Sequence, residues 1–235
     1  MNIWFSIVGI SLLVSGCAAT GNYVTYRSDE IALKGDLCKP DGNGLFPAVI
    51  YNHGGAGAVE GAPDRTCEAL AQEGYVGFSP IRRATRRLDG HLDDVMAAVK
   101  YVQGLPFVDP QRIGMIGFSR GGLLTFQAAA RMNAFKAIVI MAPAVGRGRL
   151  GLDLRDAALI QAPVLLMVAE NDTGSERTLG QNTLEETKSM NRALEAAGKD
   201  VRLIVYPPFG GDGHTLFFEL GAYWPDAVKF LRSHL

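Results

Sequence analysis

The sequence has no excess of charge of either sign. Lysine and arginine number 23 against 24 aspartates and glutamates, a formal net charge of −1. Nothing therefore favours a nucleic-acid partner, which would call for a basic face. There is no internal repeat and no low-complexity segment. The apolar stretch near the N-terminus, Ile3 to Val14, falls short of the ~20 residues that cross a hydrocarbon core of ~30 Å. Histidine is scarce, with only His53, His91, His214 and His234, so any chemistry that needs an imidazole has few candidates. What is present is a 235-residue chain, 48% hydrophobic and 20% charged, the balance of a globular protein with a substantial core. That length suits one generous domain or two small ones.

No charged side chain precedes Arg27. The short apolar stretch has the length of a signal-peptide core, which gives residues 1–16 as an expected signal segment and residues 22–235 as the folded domain. It ends in Val14-Ser15-Gly16-Cys17, which resembles the lipobox of bacterial lipoproteins, although Lys and Arg are missing from the segment ahead of it. The resemblance implies lipidation at Cys17 and a membrane-anchored protein of the cell envelope; without a signal the chain would be cytoplasmic. Cys38 and Cys67 are then left to form a disulfide, which an oxidising compartment permits, or to stay as two buried thiols.

Downstream, apolar strands alternate with amphipathic helices. "DEIALKGDLCKP" reads as an early strand and "GLFPAVIYNHGG" as a short buried strand over Ala48 to Asn52. "DRTCEALAQEGY" is a helix stopped at Gly74, and "YVGFSP" a strand. In "LDGHLDDVMAAVKYVQGLP" the apolar residues Leu92, Val95, Met96, Val99 and Val102 have helical spacing. The remainder gives three more strands, "RIGMIGF", "FKAIVIMAP" and "PVLLMVAE", then "VRLIVYP", with helices between them and a last helix near "FFELGAYWPDAVKFLRSHL". Continuous apolar strands separated by helices predict an α/β fold with a mostly parallel sheet covered on both faces. Chemistry in such folds sits beyond the carboxyl ends of the strands.

Ser119 stands at such an end. Gly117-Phe118-Ser119-Arg120-Gly121 is a G-x-S-x-G sequence between a strand and a helix, the pattern of a nucleophile elbow. The two glycines leave room for a turn so tight that side chains there would clash. The bland alternative is a glycine-rich turn with a helix-capping serine. A serine nucleophile needs a base, which in turn needs an acid to orient it, in the chain order serine, acid, histidine. Asp172 follows the strand "PVLLMVAE" and is favoured over Glu170, which lies nearer the strand body. His214 follows the next strand, in the loop "PPFGGDGH". Negative charge developing on a carbonyl oxygen requires backbone N–H donors. The amide of Arg120 is one candidate, and the amide of Gly55 in "NHGGAG" is the other, ahead of Ala56.

Together, "YNHGG", "DDVMAAVKYVQGLPFVDPQRIGMIGFSRGG", "PVLLMVAENDTGS" and "YPPFGGDGHTLFF" resemble the α/β-hydrolase superfamily and, within it, the dienelactone hydrolase family, over Asp29 to Leu235. The resemblance implies a single-domain α/β-hydrolase fold, a Ser119–His214–Asp172 triad acting on an ester-like small molecule, and no metal or organic cofactor. Family members acting on dienelactone itself use a cysteine nucleophile, so Ser119 points toward general esterase chemistry. The segment Pro143 to Ala162 is too short for a large lid domain. Arg82, Arg83, Arg86 and Arg87 follow the strand near Phe78; Arg83 and Arg86 are candidates for an anionic group on the substrate, since guanidinium forks suit carboxylates. Two other functions compete with the esterase: a serine peptidase of prolyl-oligopeptidase type, and a silent hydrolase fold used for binding.

Overall fold

A computed structural model describes residues 23–55, 65–85, 88–145 and 152–235. The expected signal segment, Cys17, Ala56 and Arg86 lie outside the described residues.

The described residues open with a hairpin, β1 (Tyr23–Ser28) and β2 (Ile31–Cys38), turned at Asp29. There follow β3 (Phe46–Asn52), α1 (Thr66–Gln72), β4 (Val76–Pro80), α2 (His91–Gln103), β5 (Val108–Phe118) and α3 (Arg120–Arg131). β6 (Phe135–Met141), a 3-10 turn (Leu154–Leu159), β7 (Val164–Ala169), α4 (Thr183–Ala196), β8 (Val201–Tyr206), a second 3-10 turn (Gly213–Phe217) and α5 (Trp224–Arg232) complete it. These strands make one eight-stranded sheet in the order β1-β2-β4-β3-β5-β6-β7-β8. Only β1 and β2 run antiparallel to their neighbours; from β4 to β8 every pairing is parallel.

The pleat sends successive side chains to opposite faces, and both faces are apolar. Ile50 of β3, Met115 of β5, Ile138 of β6 and Leu166 of β7 pack with Val95 and Val99 of α2, Phe126 of α3 and Leu194 of α4. Their strand neighbours Tyr51, Ile116, Val139 and Met167 pack with Leu70 of α1 and Leu231 of α5 on the other side. Two separate cores, one on each face of the sheet, hold the strands between helical layers. The carboxyl ends of β3 to β8 are thereby fixed along one edge.

Local signals end the helices where expected. At the end of α1, Tyr75 N donates to Leu70 O at 3.0 Å and Gly74 N to Ala71 O at 3.1 Å, a Schellman closure that needs the positive φ of Gly74, 90°. Cys38 at the end of β2 and Cys67 at the start of α1 form a disulfide, their Cα atoms 5.4 Å apart. Two expectations change. The residues before β2 form β1, an edge strand that escapes the apolar pattern because it buries little beyond Tyr26 and Ser28. The last helix is shorter than its apolar stretch, beginning at Trp224 with Pro225 in its first turn. In the segment that could have carried a lid, Ala157, Ile160 and Ala162 are buried in the core beside α3 and α4. Among the described residues no helix is long and apolar enough to cross a membrane.

Candidate active site

Ser119 lies between β5 and α3 with φ 53° and ψ −116°. Positive φ at a residue with a Cβ carries strain of about 1–3 kcal/mol, and persists only where surroundings impose it. Here they do. Ser119 N donates to Met141 O of β6 at 2.9 Å, and Ser119 O accepts from Ala144 N at 2.9 Å and from Leu123 N at 3.2 Å. The two motif glycines are required by contact. A Cβ on Gly117 would sit 2.2 Å from Thr125 Oγ1, and one on Gly121 would sit 1.9 Å from Asn52 O. Helix α3 thus begins pressed against the backbone at the end of β3.

Asp172 and His214 arrive from β7 and β8. His214 Nδ1 donates to Asp172 Oδ2 at 2.8 Å, and His214 Nε2 stands 3.1 Å from Ser119 Oγ. This pairing assigns the tautomer: Nδ1 carries hydrogen, leaving the Nε2 lone pair for the serine hydroxyl. All three side chains are nearly enclosed, Ser119 at 9% exposed, His214 at 3% and Asp172 at 1%. Glu170, the competing acid, is exposed. The three residues that sequence order singled out thus form one hydrogen-bonded chain.

The loops carrying acid and base are fastened to each other and to α4. Asp172 O accepts from Leu184 N at 3.0 Å and from Thr183 Oγ1 at 3.3 Å. Asn171 Oδ1 accepts from Phe209 N at 2.9 Å, and its amide donates to Phe209 O and Gly210 O. Asp212 turns the chain into the 3-10 turn by accepting from His214 N at 3.1 Å. Gly213 is obligatory there, because a Cβ would fall 2.5 Å from Asn171 Oδ1 and 2.7 Å from Asp172 N. None of Asn171, Asp212 and Gly213 was singled out from sequence. Only Asp212 carries a local signal, a carboxylate two residues before His214 that closes an Asx-type turn; Asn171 bonds across 38 residues and Gly213 is required by a close approach that only the fold creates.

Aromatic rings frame the imidazole. Phe118 lies 4.8 Å from the His214 ring and Phe218 6.3 Å, and Phe218 is partly open to solvent. Arg177 stands 5.5 Å over the Phe218 ring.

Across the cleft, Gly54 and Gly55 follow β3. Gly54 is so close to the elbow that a Cβ would lie 3.3 Å from that of Ser119. Gly55 is exposed, with φ 75°. The Arg120 amide opens α3 directly after Ser119, where the helix N-terminus adds partial positive charge. The Arg83 side chain is engaged elsewhere: its Nε and Nη2 donate to Asp94 Oδ1 at 2.9 and 2.6 Å, and Nη2 donates to Ser28 Oγ at 3.0 Å. With Asp94 fully buried, a substrate carboxylate would have to displace a partner that cannot leave unpaired. Arg83 is therefore held in a structural ion pair, against the expectation that it meets an anionic group on the substrate. Its neighbour Arg82 is 1% exposed and donates to carbonyls of the His53–Gly54 loop. The histidines besides His214 face other partners. His91 Nε2 donates to Arg83 O at 2.8 Å, and His53 Nδ1 to Gly54 O at 2.8 Å. Burial, reinforced by the Arg82 charge, drives the His53 pKa down to about 3.

Compared with known proteins, the sequence matches the model of the dienelactone hydrolase family over residues 81–222. It is 29% identical over 117 residues to a Bacillus subtilis protein named uncharacterized peptidase YtmA, a stretch covering 47% of this chain and 46% of that protein. Among solved structures, dienelactone hydrolase from Anabaena variabilis superposes with a TM-score of 0.70 at 21% identity, over 92% of this chain and 98% of that one. Dipeptidyl peptidase 4 of Porphyromonas gingivalis superposes with a TM-score of 0.73 at 21% identity, over 92% of this chain but 35% of that one. The chain thus spans less than half of the Bacillus relative and about a third of the peptidase. At these identities the structural likeness speaks for the fold alone.

Proposed function

Because the chain belongs to the dienelactone hydrolase family, we propose that it is a serine hydrolase cleaving a small carboxylic ester, lactone or thioester through an acyl-enzyme. The observation that carries this reading is the continuous Ser119–His214–Asp172 hydrogen-bond chain.

In this proposal Ser119 Oγ attacks the substrate carbonyl carbon while His214 Nε2 takes the hydroxyl proton. Asp172 holds the imidazole in the required tautomer and stabilises the imidazolium. The oxyanion is met by the N–H groups of Arg120 and Gly55, worth about 2.7–4 kcal/mol for each donor in comparable sites. Collapse breaks the bond to the leaving group, which departs with the proton from His214. Water, deprotonated by the same imidazole, then attacks the acyl-serine and releases the acid. Enclosure of the three side chains strengthens each of these charge interactions.

A peptidase reading has one specific support, the 29% identity to YtmA over 117 residues. An ester, thioester and peptide panel divides the two. We expect turnover of short-chain p-nitrophenyl esters that is lost in Ser119→Ala, with no comparable cleavage of small peptides. Peptide turnover exceeding ester turnover would select the second reading, and an ester rate unchanged in Ser119→Ala would dismiss both.

We further propose export, with residues 1–16 removed and Cys17 lipidated; the Cys38–Cys67 disulfide is supporting, since such bonds persist in oxidising compartments. Incorporation of labelled fatty acid that survives in Cys17→Ala would dismiss this.

A further inference from the structure

Arg82 is among the largest fully buried side chains of the protein, yet among the described residues no carboxylate hydrogen-bonds to it. Burial lowers its pKa to about 10, so it stays charged at neutral pH. A buried cation without a bonded counter-charge is costly, by several kcal/mol after relaxation. The nearby carboxylate, Asp94, is chelated by Arg83. Among the described residues the Nε of Arg82 is buried with no partner. Its guanidinium faces one short loop: Nη1 donates to His53 O at 2.9 Å and Nη2 to Gly54 O at 3.3 Å, while Nη2 also lies 3.4 Å from His53 Nδ1, too long a contact to compete with the 2.8 Å bond from Nδ1 to Gly54 O.

Those two carbonyls belong to the peptide units 53–54 and 54–55, which are trans. In a planar trans unit, C=O and N–H point in opposite directions. Holding the oxygen of Gly54 therefore sets the direction of the Gly55 N–H, and holding the oxygen of His53 sets that of Gly54. The loop is gripped twice more. His53 Nδ1 donates to the same Gly54 oxygen at 2.8 Å, a bond that the depressed His53 pKa keeps in its neutral form. On the side facing the elbow, the start of α3 abuts Asn52 O and His53 O, and Gly54 abuts Ser119.

We propose that Arg82 is a positioning residue of the reaction: by drawing the His53 and Gly54 carbonyls toward itself, it turns the opposite N–H groups toward the oxyanion beside Ser119. This rests on the serine hydrolase reading above and adds a residue to it. The charge also polarises both amides, strengthening their N–H groups as donors, in the manner of hydrogen-bond chains that reinforce one another. The device explains how glycines at 54 and 55, free to rotate by themselves, hold a fixed geometry.

The test compares wild type, Arg82→Gln and Arg82→Lys with a short-chain p-nitrophenyl ester, a fluorophosphonate and an alkyl boronic acid. Boronic acid and fluorophosphonate place a tetrahedral centre with an oxygen in the hole; the ester KM reports the ground state. In Arg82→Gln we expect kcat and the phosphonylation rate to fall about 10- to 100-fold, below the effect of deleting a whole donor. Boronate affinity should fall in parallel, with KM within about twofold. Arg82→Lys, which keeps the charge and one donor, should recover part of the loss. Unchanged kcat and boronate affinity in folded Arg82→Gln, or a loss confined to KM, would overturn the role. Should neither variant fold, a structure of the wild-type phosphonyl adduct decides. The phosphonyl oxygen must lie within hydrogen-bond distance of Gly55 N or Gly54 N while Arg82 keeps both carbonyls; an Arg82 that leaves them to bind the adduct contradicts the proposal. If wild-type protein fails to react at Ser119, the hydrolase reading itself has failed; if wild type reacts and Arg82→Gln reacts equally fast, only the role of Arg82 has.

Discussion

Two glycine-bearing loops stand side by side at the carboxyl ends of neighbouring strands, the elbow after β5 and the His53–Gly55 loop after β3, and they are held by opposite means. The elbow is held by exclusion. Gly117 and Gly121 fit because any side chain would strike Thr125 or the backbone at Asn52, and the backbone hydrogen bonds of Ser119 to Met141, Leu123 and Ala144 keep the turn in place. The His53–Gly55 loop is held by attraction, through a buried guanidinium reaching it from beyond β4. Steric definition is cheap and local. Electrostatic definition brings a buried charge, and with it dependence on residues far away in the chain.

The largest effect that would sharpen this contrast belongs to the relay at the elbow. Asp172→Asn keeps the shape but invites the wrong imidazole tautomer, and kcat should fall about 10⁴-fold with little change in melting temperature. A loss below tenfold would show that His214 does not depend on this carboxylate. Next is Gly121→Ala, whose methyl would sit 1.9 Å from Asn52 O. Backbone on both sides leaves little room to relax, so destabilisation should exceed the about 1–3 kcal/mol of ordinary overpacking. Urea unfolding measures it, and a near-neutral result would deny steric control. Asn171→Ala removes the ties between the acid and base loops. We expect a roughly tenfold fall in kcat and a loss of about 1 kcal/mol in stability. Equal kcat would mean that the loops hold their places without it.

The last effect is read in pH and concerns the attracted loop. His53 is neutral when folded, with its pKa lowered to about 3, whereas an unfolded histidine takes up its proton near 6.5. Between these values the unfolded chain binds more protons, so stability declines as pH falls from about 6.5 toward 3. One such group gives a slope of about 1.4 kcal/mol per pH unit. His91, lowered in the same direction by burial, acts in the same sense. His53→Asn should flatten the acid limb of a denaturation series; an unchanged slope would mean that His53 charges without unfolding the loop.

The same contrast decides how much could be seen in the amino-acid order. The elbow, Asp172 and His214 were legible because each depends on local chemistry: two glycines about a serine, a carboxylate just past an apolar strand, a histidine in a glycine-rich loop after the next. The parallel sheet followed from apolar strands separated by helices. β1 was not legible: its burial alternates through Val24, Tyr26 and Ser28, but only two of those three inward residues are apolar, too few to mark a strand by composition. Nor was the division of labour between Arg82 and Arg83. Adjacent arginines after a strand read alike, and only packing shows that one pairs with Asp94 while the other faces the His53–Gly54 backbone. The pairing of Cys38 with Cys67 was likewise open until β2 and α1 were seen together.

The relay itself is tested most directly by covalent trapping. Wild-type protein, His214→Ala and Ser119→Ala are treated with a fluorophosphonate, and the labelled peptide is identified by mass. The hydrogen-bonded chain from Asp172 to Ser119 predicts stoichiometric modification of wild type at Ser119, a rate lower by orders of magnitude in folded His214→Ala, and none in Ser119→Ala. Label on another residue, or full reactivity of Ser119 without His214, would contradict it.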